Sequence, residues 1–248
     1  MATQLRTIEA MNIQPTLPSS SLPSSSTSSL PASLPLPRWS GVLIALLAFG
    51  VAGYALAAYL LLPLGAAVHP DMQVAFRARP GLIYTHVFAS VVALALGPLQ
   101  FWATLRRQRI ALHRWTGRAY LGVGVLLGGA SGLALAFFAH GGPVARGGFG
   151  LLALSWLASG ALALRAVRRG RIDEHRRWML RNYALTLAAV TLRLYLPASM
   201  ALGLDFDRAY AAIAWLCWVP NLLAAQWLVR RWERRPLADL TGVAYRSR

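Results

Sequence analysis

Long apolar runs recur six times after residue 37, and they constrain the fold more than any other feature of the chain. Five of the runs contain no Asp, Glu or Arg, and the remaining run contains one arginine. The runs occupy residues 41–68, 80–105, 119–145, 147–164, 182–204 and 209–229. Each is close to the roughly 20 residues with which a helix crosses a hydrocarbon core of about 30 Å. The sequence therefore predicts an all-α fold, a six-helix transmembrane bundle over residues 38–235.

The composition supports a membrane protein and excludes a nucleic-acid partner. Only 13% of the residues are charged, against about 25% in an average soluble domain. The net charge of +17 comes from arginine alone, because the chain contains no lysine. In a soluble protein such a charge indicates nucleic-acid binding. Here the arginines cluster between apolar runs, which is typical of charge sorting across a bilayer. The predicted partner is therefore the lipid bilayer.

The arginines also predict the orientation. They are abundant in the second and fourth connections and after the sixth run, and sparse in the other three connections. The abundant set comprises Arg106, Arg107, Arg109, Arg114, Arg118, Arg165, Arg168, Arg169, Arg171, Arg176, Arg177, Arg181, Arg230, Arg231, Arg234 and Arg235. The positive-inside rule then places both termini in the cytoplasm, in agreement with an even number of spans. We expect a multi-pass protein of a bacterial inner membrane.

The two ends of the chain lie outside the apolar runs. Residues 1–37 are rich in Ser and Pro, too polar for a core and too rich in Pro for a helix. They are predicted to form a disordered cytoplasmic tail, with a plastid-type transit peptide as the alternative. Residues 236–248 are predicted to form a short cytoplasmic tail.

Two histidines are candidates for metal ligation. His113 and His175 precede the third and fifth runs, and the predicted topology places both at the same depth on the arginine-rich side. Neutral imidazoles on facing helices at matched depth are what bis-histidine ligation of a b-type haem iron requires. The alternative is that both are interfacial residues that bind lipid phosphate.

Glycines lie above the first of these histidines. Gly117, Gly124 and Gly128 fall 4, 11 and 15 residues after His113, on one helical face. They predict a bare groove in which a flat macrocycle could lie. The alternative interpretation of such a stripe, which continues at Gly132, is close packing between helices.

A second candidate site involves Arg193, which lies inside the fifth run. A charged side chain in hydrocarbon costs about 3 kcal/mol on insertion scales, and no run contains an Asp or Glu. The expected partners are a loop carboxylate (Asp205 or Asp207), helix carbonyls or an anionic ligand. Snorkelling to lipid headgroups is the alternative.

Other polar residues share helical faces with Arg193 or lie at its depth. Asn182 and Thr186 lie on the face of the fifth helix that carries His175 and Arg193. His86 begins the second helix on the arginine-poor side, with Gln100 on its face. The predicted outer ligand site therefore comprises His86, Gln100, Asn182, Thr186 and Arg193. Its ligand would be a quinone or other redox partner, or else a small anion or lipid headgroup.

The motif residues resemble a known group of sequences. The segments "HRWTGRAY" from His113 and "HRRWMLRNYALT" from His175, with Arg193 and His86, resemble a family of predicted bacterial membrane proteins classed as a domain of unknown function. The resemblance covers residues 80–228 and implies a membrane location. "LHRWTG" is also similar to an element of two-haem b-type cytochromes and ferric-reductase-like membrane proteins. That similarity implies at most one haem here, because the fourth run contains no histidine and a second histidine pair is missing.

Three hypotheses for the function follow. The first is a b-type haem protein that transfers electrons across the membrane. The second is a non-redox protein that binds or transports a small anion or lipid headgroup through the His/Arg face of the fifth helix. The third is a structural or assembly factor without a ligand.

Overall fold

The computed structural model describes residues 38–233. The tails predicted for residues 1–37 and 236–248 lie outside the described residues. Within the described part the chain is helical and contains no strand. The helices are α1 (Arg38–Leu61), α2 (Pro70–Arg77), α3 (Pro80–Phe101), α4 (Ala103–Gln108), α5 (Ile110–Ala119), α6 (Gly128–Ala136), α7 (Gly142–Arg168), α8 (Ile172–Thr186), α9 (Ala188–Ala201), α10 (Phe206–Leu216) and α11 (Val219–Glu233), with a π-helical segment at Tyr120–Leu127 between α5 and α6.

Six continuous helical stretches in this part of the chain are long and apolar enough to cross a membrane. In chain order they are the first to sixth spans: Trp39–Leu61, Pro80–Phe101, Ile110–Ala136, Gly142–Arg168, Ile172–Ala201 and Phe206–Glu233. The prediction of an all-α, six-helix transmembrane bundle is confirmed. The third span joins α5, the π-helical segment and α6, and the fifth and sixth spans each join two helices. The described chain is a multi-pass membrane protein.

Several spans begin or end five to ten residues away from the ends of the apolar runs. The third span ends at Ala136, and residues 137–141 form the turn that the run 119–145 concealed. Gly141 has a φ of 82°, a conformation that glycine adopts without steric cost. The fifth span begins ten residues before the predicted residue 182, at Ile172. Asp173 and Glu174 lie in its first turn, where carboxylates interact favourably with the helix dipole.

The bundle is apolar both inside and outside. Buried side chains of the second to sixth spans form one core cluster, which includes Tyr120, Trp156, Met179, Tyr183 and Trp218. Large apolar side chains also cover the outer faces of the spans; among the most exposed are Leu46, Leu60, Leu126 and Leu223. An apolar exterior of this extent suits contact with lipid and not with water.

Candidate functional site

A cavity of about 290 Å³ lies among the spans and is lined by residues from all six of them. Its walls are mainly aliphatic, with Val51, Val87, Leu94 and Leu185 among the lining side chains. It reaches the end of the bundle that carries few arginines, where Phe138 and the residues beside it line it. This end is the arginine-poor side, and the end that carries α4 and the α7–α8 connection is the arginine-rich side.

The charged groups of the cavity wall are all cationic. Arg79 and Arg193 both line it, and the described lining residues include no Asp or Glu. His86 and His140 add two imidazoles, and Thr186 adds a hydroxyl. The cavity therefore combines an apolar interior with positive charge.

Arg193 is largely buried and is held by its own helix. Its Nη1 donates to the carbonyl oxygen of Ala189 at 3.1 Å, and its guanidinium carbon lies 5.9 Å from the centroid of the Tyr54 ring. No carboxylate pairs with it among the described residues. Of the protein partners expected from the sequence, a helix carbonyl is present.

The two loop carboxylates expected as partners of Arg193 are engaged elsewhere. Asp205 caps α10 by accepting from the backbone N–H of Arg208 at 3.0 Å, and Asp207 contacts His140. The expectation that one of them reaches Arg193 is therefore wrong.

Arg79 lies near the open end of the cavity. Its Nη1 donates to the carbonyl oxygen of Ala75 at 3.3 Å. Its guanidinium carbon lies 3.7 Å from the centroid of the Phe138 ring, a cation–π distance. This role of Arg79 was not predictable, because nothing in the sequence shows that the residue before α3 lines the cavity.

His86 has a fixed orientation. Its Nδ1–H donates to the carbonyl oxygen of Gly128 at 2.9 Å. In the neutral ring this leaves Nε2 as an acceptor. The imidazole lies directly against Gly132, where an added Cβ would be 2.9 Å from Cε1. Glycine at position 132 therefore makes room for the ring.

The structure brings together three of the five residues predicted for the outer ligand site. His86, Thr186 and Arg193 line the cavity. Gln100 does not belong with them, because it lies near the other end of α3 and its Nε2 donates to Thr116 Oγ1 at 2.9 Å. Asn182 is fully buried and does not line the cavity. The structure therefore does not bring Gln100 and Asn182 together with His86 at the cavity.

Asn182 is the centre of a buried polar network instead. Its Oδ1 accepts from Tyr120 Oη at 2.7 Å, and its Nδ2 donates to Ser159 Oγ at 2.9 Å and to the Trp156 carbonyl at 2.8 Å. Thr186 Oγ1 joins the network through Tyr120 Oη and Trp156 Nε1, each at 2.9 Å. These bonds connect the third, fourth and fifth spans, so the network stabilises the bundle.

The glycine stripe of the third span packs against α3 along most of that helix. An added Cβ would lie 3.1 Å from Gln100 at Gly117, 2.8 Å from Ala93 at Gly124 and 3.4 Å from Ser90 at Gly128, where the Trp156 ring is closer still at 3.1 Å. The space predicted for a macrocycle is filled at all three positions. Close helix packing, the alternative interpretation, describes what these glycines do.

His113 and His175 lie on the arginine-rich side, close enough for the charge of one imidazole to act on the other. His175 Nδ1–H donates to the carbonyl oxygen of Ala163 at 2.9 Å, a bond that fixes the tautomer and leaves Nε2 as an acceptor. His113 Nδ1 is buried without a hydrogen-bond partner. The glycine face above His113 does not suit a macrocycle. Haem binding stays a prediction.

Arginines surround this histidine pair. Arg106 and Arg114 lie near His113, and Arg176 lies near His175. Burial, followed by the charges of Arg176 and Arg107, lowers the pKa of the Arg106 guanidinium. The surroundings of the pair are therefore rich in arginine, although Arg176 is itself paired with Asp173 at 3.3 Å.

Comparison with known proteins gives one finding. The family model described as "Predicted membrane protein (DUF2306)" matches residues 83–229, and the chain belongs to this family. The family membership expected over residues 80–228 is confirmed. No curated protein and no solved structure matches the chain.

Proposed function

We propose that this DUF2306 membrane protein binds a small amphipathic anion, a carboxylate or phosphate joined to an apolar body, in the cavity among its spans. The observation that carries the proposal is the charge of the wall: two arginines line the cavity, and no described lining residue is acidic. A charge in an apolar environment is costly unless it is paired. An anionic ligand would supply the partner that Arg193 lacks among the described residues.

The size and polarity of the cavity define the rest of the ligand. Small-molecule sites typically occupy about 300–1,000 Å³, so a cavity of about 290 Å³ favours a compact molecule. The aliphatic wall favours an apolar chain or ring behind the anionic group. Two chemical sources fit this description, a free medium-chain acid and part of a phospholipid.

The route of entry follows from where the cavity reaches the end of the bundle. That end is the arginine-poor side, which the positive-inside rule places away from the cytoplasm. We propose accordingly that both termini are cytoplasmic in a bacterial inner membrane, and that the ligand enters from the opposite side. His86 Nε2 would accept a hydrogen bond from a hydroxyl or a protonated acid group of the ligand.

The experiment compares decanoate with decanol, an uncharged analogue of the same chain length, on purified protein in lipid nanodiscs. Binding is measured calorimetrically for the wild-type protein and for Arg193→Gln. Hydrogen bonds to charged groups contribute about 1.5–3 kcal/mol, so the substitution should weaken decanoate binding about 10- to 150-fold. Decanol should bind weakly to the wild-type protein, and its affinity should not change.

Arg208→Gln is the matched control. Arg208 lies on the same side of the bundle as the cavity opening, and its side chain is 93% exposed. It should leave decanoate binding unchanged. Equal affinity for decanoate and decanol, or an Arg193→Gln protein that binds decanoate normally, would contradict the proposal. Mass spectrometry of detergent-purified protein before and after decanoate addition distinguishes the sources: a phospholipid that co-purifies and is displaced by decanoate identifies the lipid as the occupant.

The histidine pair favours a second candidate function, electron transfer through a b-type haem ligated by His113 and His175. The specific observation is the bond from His175 Nδ1–H to the Ala163 carbonyl, because ligating histidines usually donate their second ring N–H in this way. The filled glycine face opposes this candidate.

An optical spectrum tests the haem proposal. Protein expressed with a sufficient supply of haem should show a sharp reduced α-band after dithionite addition, and His113→Ala or His175→Ala should abolish it. A wild-type spectrum without such a band would exclude the haem and leave the anion proposal.

A further inference from the structure

Three connections that are distant in sequence meet at the arginine-poor side. Asp71 lies in the first turn of α2, His140 lies in the turn between the third and fourth spans, and Asp207 lies in the first turn of α10. One ligand atom from each of the three residues lies within 4.8 Å of the other two. His140 also lines the cavity, so the cluster is at its edge.

We infer that Asp71, His140 and Asp207 form a binding site for a divalent transition-metal ion, with Zn²⁺ as the best match. One imidazole and two carboxylates are a ligand set that zinc accepts, and three protein ligands leave a fourth position open. Mg²⁺ and Ca²⁺ prefer sites made of oxygen ligands alone, so the imidazole disfavours them. This inference is independent of the proposed anion binding.

The ligand side chains are positioned by aromatic contacts. The His140 ring lies 5.4 Å from the Phe206 ring and 6.0 Å from the Tyr210 ring, centroid to centroid. His69 stacks on Phe206 at 3.7 Å with an interplanar angle of 12°. The Nδ1 atom of His69 lies 3.3 Å from Asp71 Oδ2, so a second imidazole lies beside this carboxylate. Such supporting contacts restrict ligand motion before the ion arrives.

The contacts within the cluster are compatible with metal binding. In the described chain His140 Nε2 contacts Asp207 Oδ1, and an ion would replace the proton between these two atoms. Arg208 follows Asp207 in the chain, but its Nε lies 4.0 Å from Asp205 Oδ1. Its charge therefore faces Asp205, which is outside the cluster. With the ion bound, α2 and α10 would be linked to the turn between the third and fourth spans at the cavity mouth.

The experiment is a titration of tag-free, chelator-treated protein in detergent with Zn²⁺, in competition with a chromophoric chelator. The wild-type protein should bind one Zn²⁺ per chain. Loss of an outer-shell group already weakens metal binding about 10- to 100-fold, so His140→Ala and Asp207→Asn, which remove ligands, should weaken it by at least about 100-fold. The Co²⁺-loaded wild-type protein should show visible absorption that both variants lose.

Asp205→Asn is the matched control, because it changes a carboxylate two residues from Asp207 that caps α10 and faces Arg208 but does not belong to the cluster. Its Zn²⁺ affinity should equal that of the wild-type protein. If His140→Ala or Asp207→Asn fails to fold, Asp71→Asn decides, because that side chain is 56% exposed and its folding cost is small. A wild-type protein that binds no Zn²⁺, or Zn²⁺ binding that survives the ligand substitutions, would overturn the inference.

Discussion

The close approach between the third span and α3 predicts a large difference in stability between two substitutions, Gly122→Ala and Gly124→Ala. A Cβ added at Gly124 would lie 2.8 Å from Ala93 Cβ, 2.9 Å from its Cα and 3.0 Å from its backbone nitrogen. A Cβ added at Gly122 would meet nothing within 4 Å. Both glycines lie in the π-helical segment Tyr120–Leu127, so the two substitutions change the same backbone in the same way. Only Gly124→Ala forces α3 away.

The size of the difference follows from these distances. Ordinary contact begins at 3.4 Å, so the helices must separate by about 0.5 Å at this point. A gap of that size forfeits about a quarter of the dispersion energy of neighbouring contacts, and overpacking typically costs about 1–3 kcal/mol. Replacing glycine by alanine within a helix gains up to about 1 kcal/mol, but this gain is common to both variants. Gly124→Ala should therefore unfold with about 1–3 kcal/mol less free energy than Gly122→Ala.

The assay is reversible unfolding in mixed micelles, with sodium dodecyl sulfate as the denaturant and tryptophan fluorescence as the signal. The free energies of the two variants and of the wild-type protein are compared under identical conditions. Equal stability of the two variants, or a more stable Gly124→Ala protein, would refute the assignment of the glycine stripe to helix packing.

Two further stability predictions concern other buried contacts. Gly97→Ala should destabilise the protein by more than Gly124→Ala, because its Cβ would lie 1.9 Å from Tyr183 Cε2. The same unfolding assay checks this, with Gly53→Ala, whose Cβ meets nothing within 4 Å, as the control. Equal unfolding midpoints of Gly97→Ala and Gly53→Ala would contradict the prediction. Tyr120→Phe should cost about 1–2 kcal/mol, because it leaves Asn182 Oδ1 without the donor at 2.7 Å; an unchanged free energy of unfolding would show that the network contributes nothing.

The membrane spans were predictable because the bilayer imposes a simple requirement. A backbone in hydrocarbon must satisfy its own hydrogen bonds, and its side chains must be uncharged over about 20 residues. Runs without Asp, Glu or Arg meet that requirement, and they can be recognised in the sequence alone. The apolar run 119–145 extends past the end of the third span because the turn at residues 137–141 is as uncharged as the helix before it.

The predictions for the site were less accurate, because helical spacing gives a face and not a depth. Gln100 shares a face of α3 with His86, yet it follows His86 by 14 residues, which corresponds to about 21 Å along the helix. The open groove predicted above His113 is absent for a different reason. Sequence spacing shows where side chains are small, but it does not show which neighbouring helix fills the space beside them. In the structure α3 and Trp156 fill it.

Asn182 and Arg193 show how the described structure separates structural polar groups from candidate ligand groups. Both lie in the fifth span, and their helical spacing predicts one shared site. Asn182 makes hydrogen bonds to the third and fourth spans through both its amide oxygen and its amide nitrogen. Its side chain therefore needs no hydrogen bond from a ligand. Arg193 donates to one carbonyl of its own helix and carries a charge that no described carboxylate balances. Because an unbalanced charge in an apolar wall is costly, a ligand that balances it gains affinity, and Arg193 is therefore the residue on which ligand binding should depend.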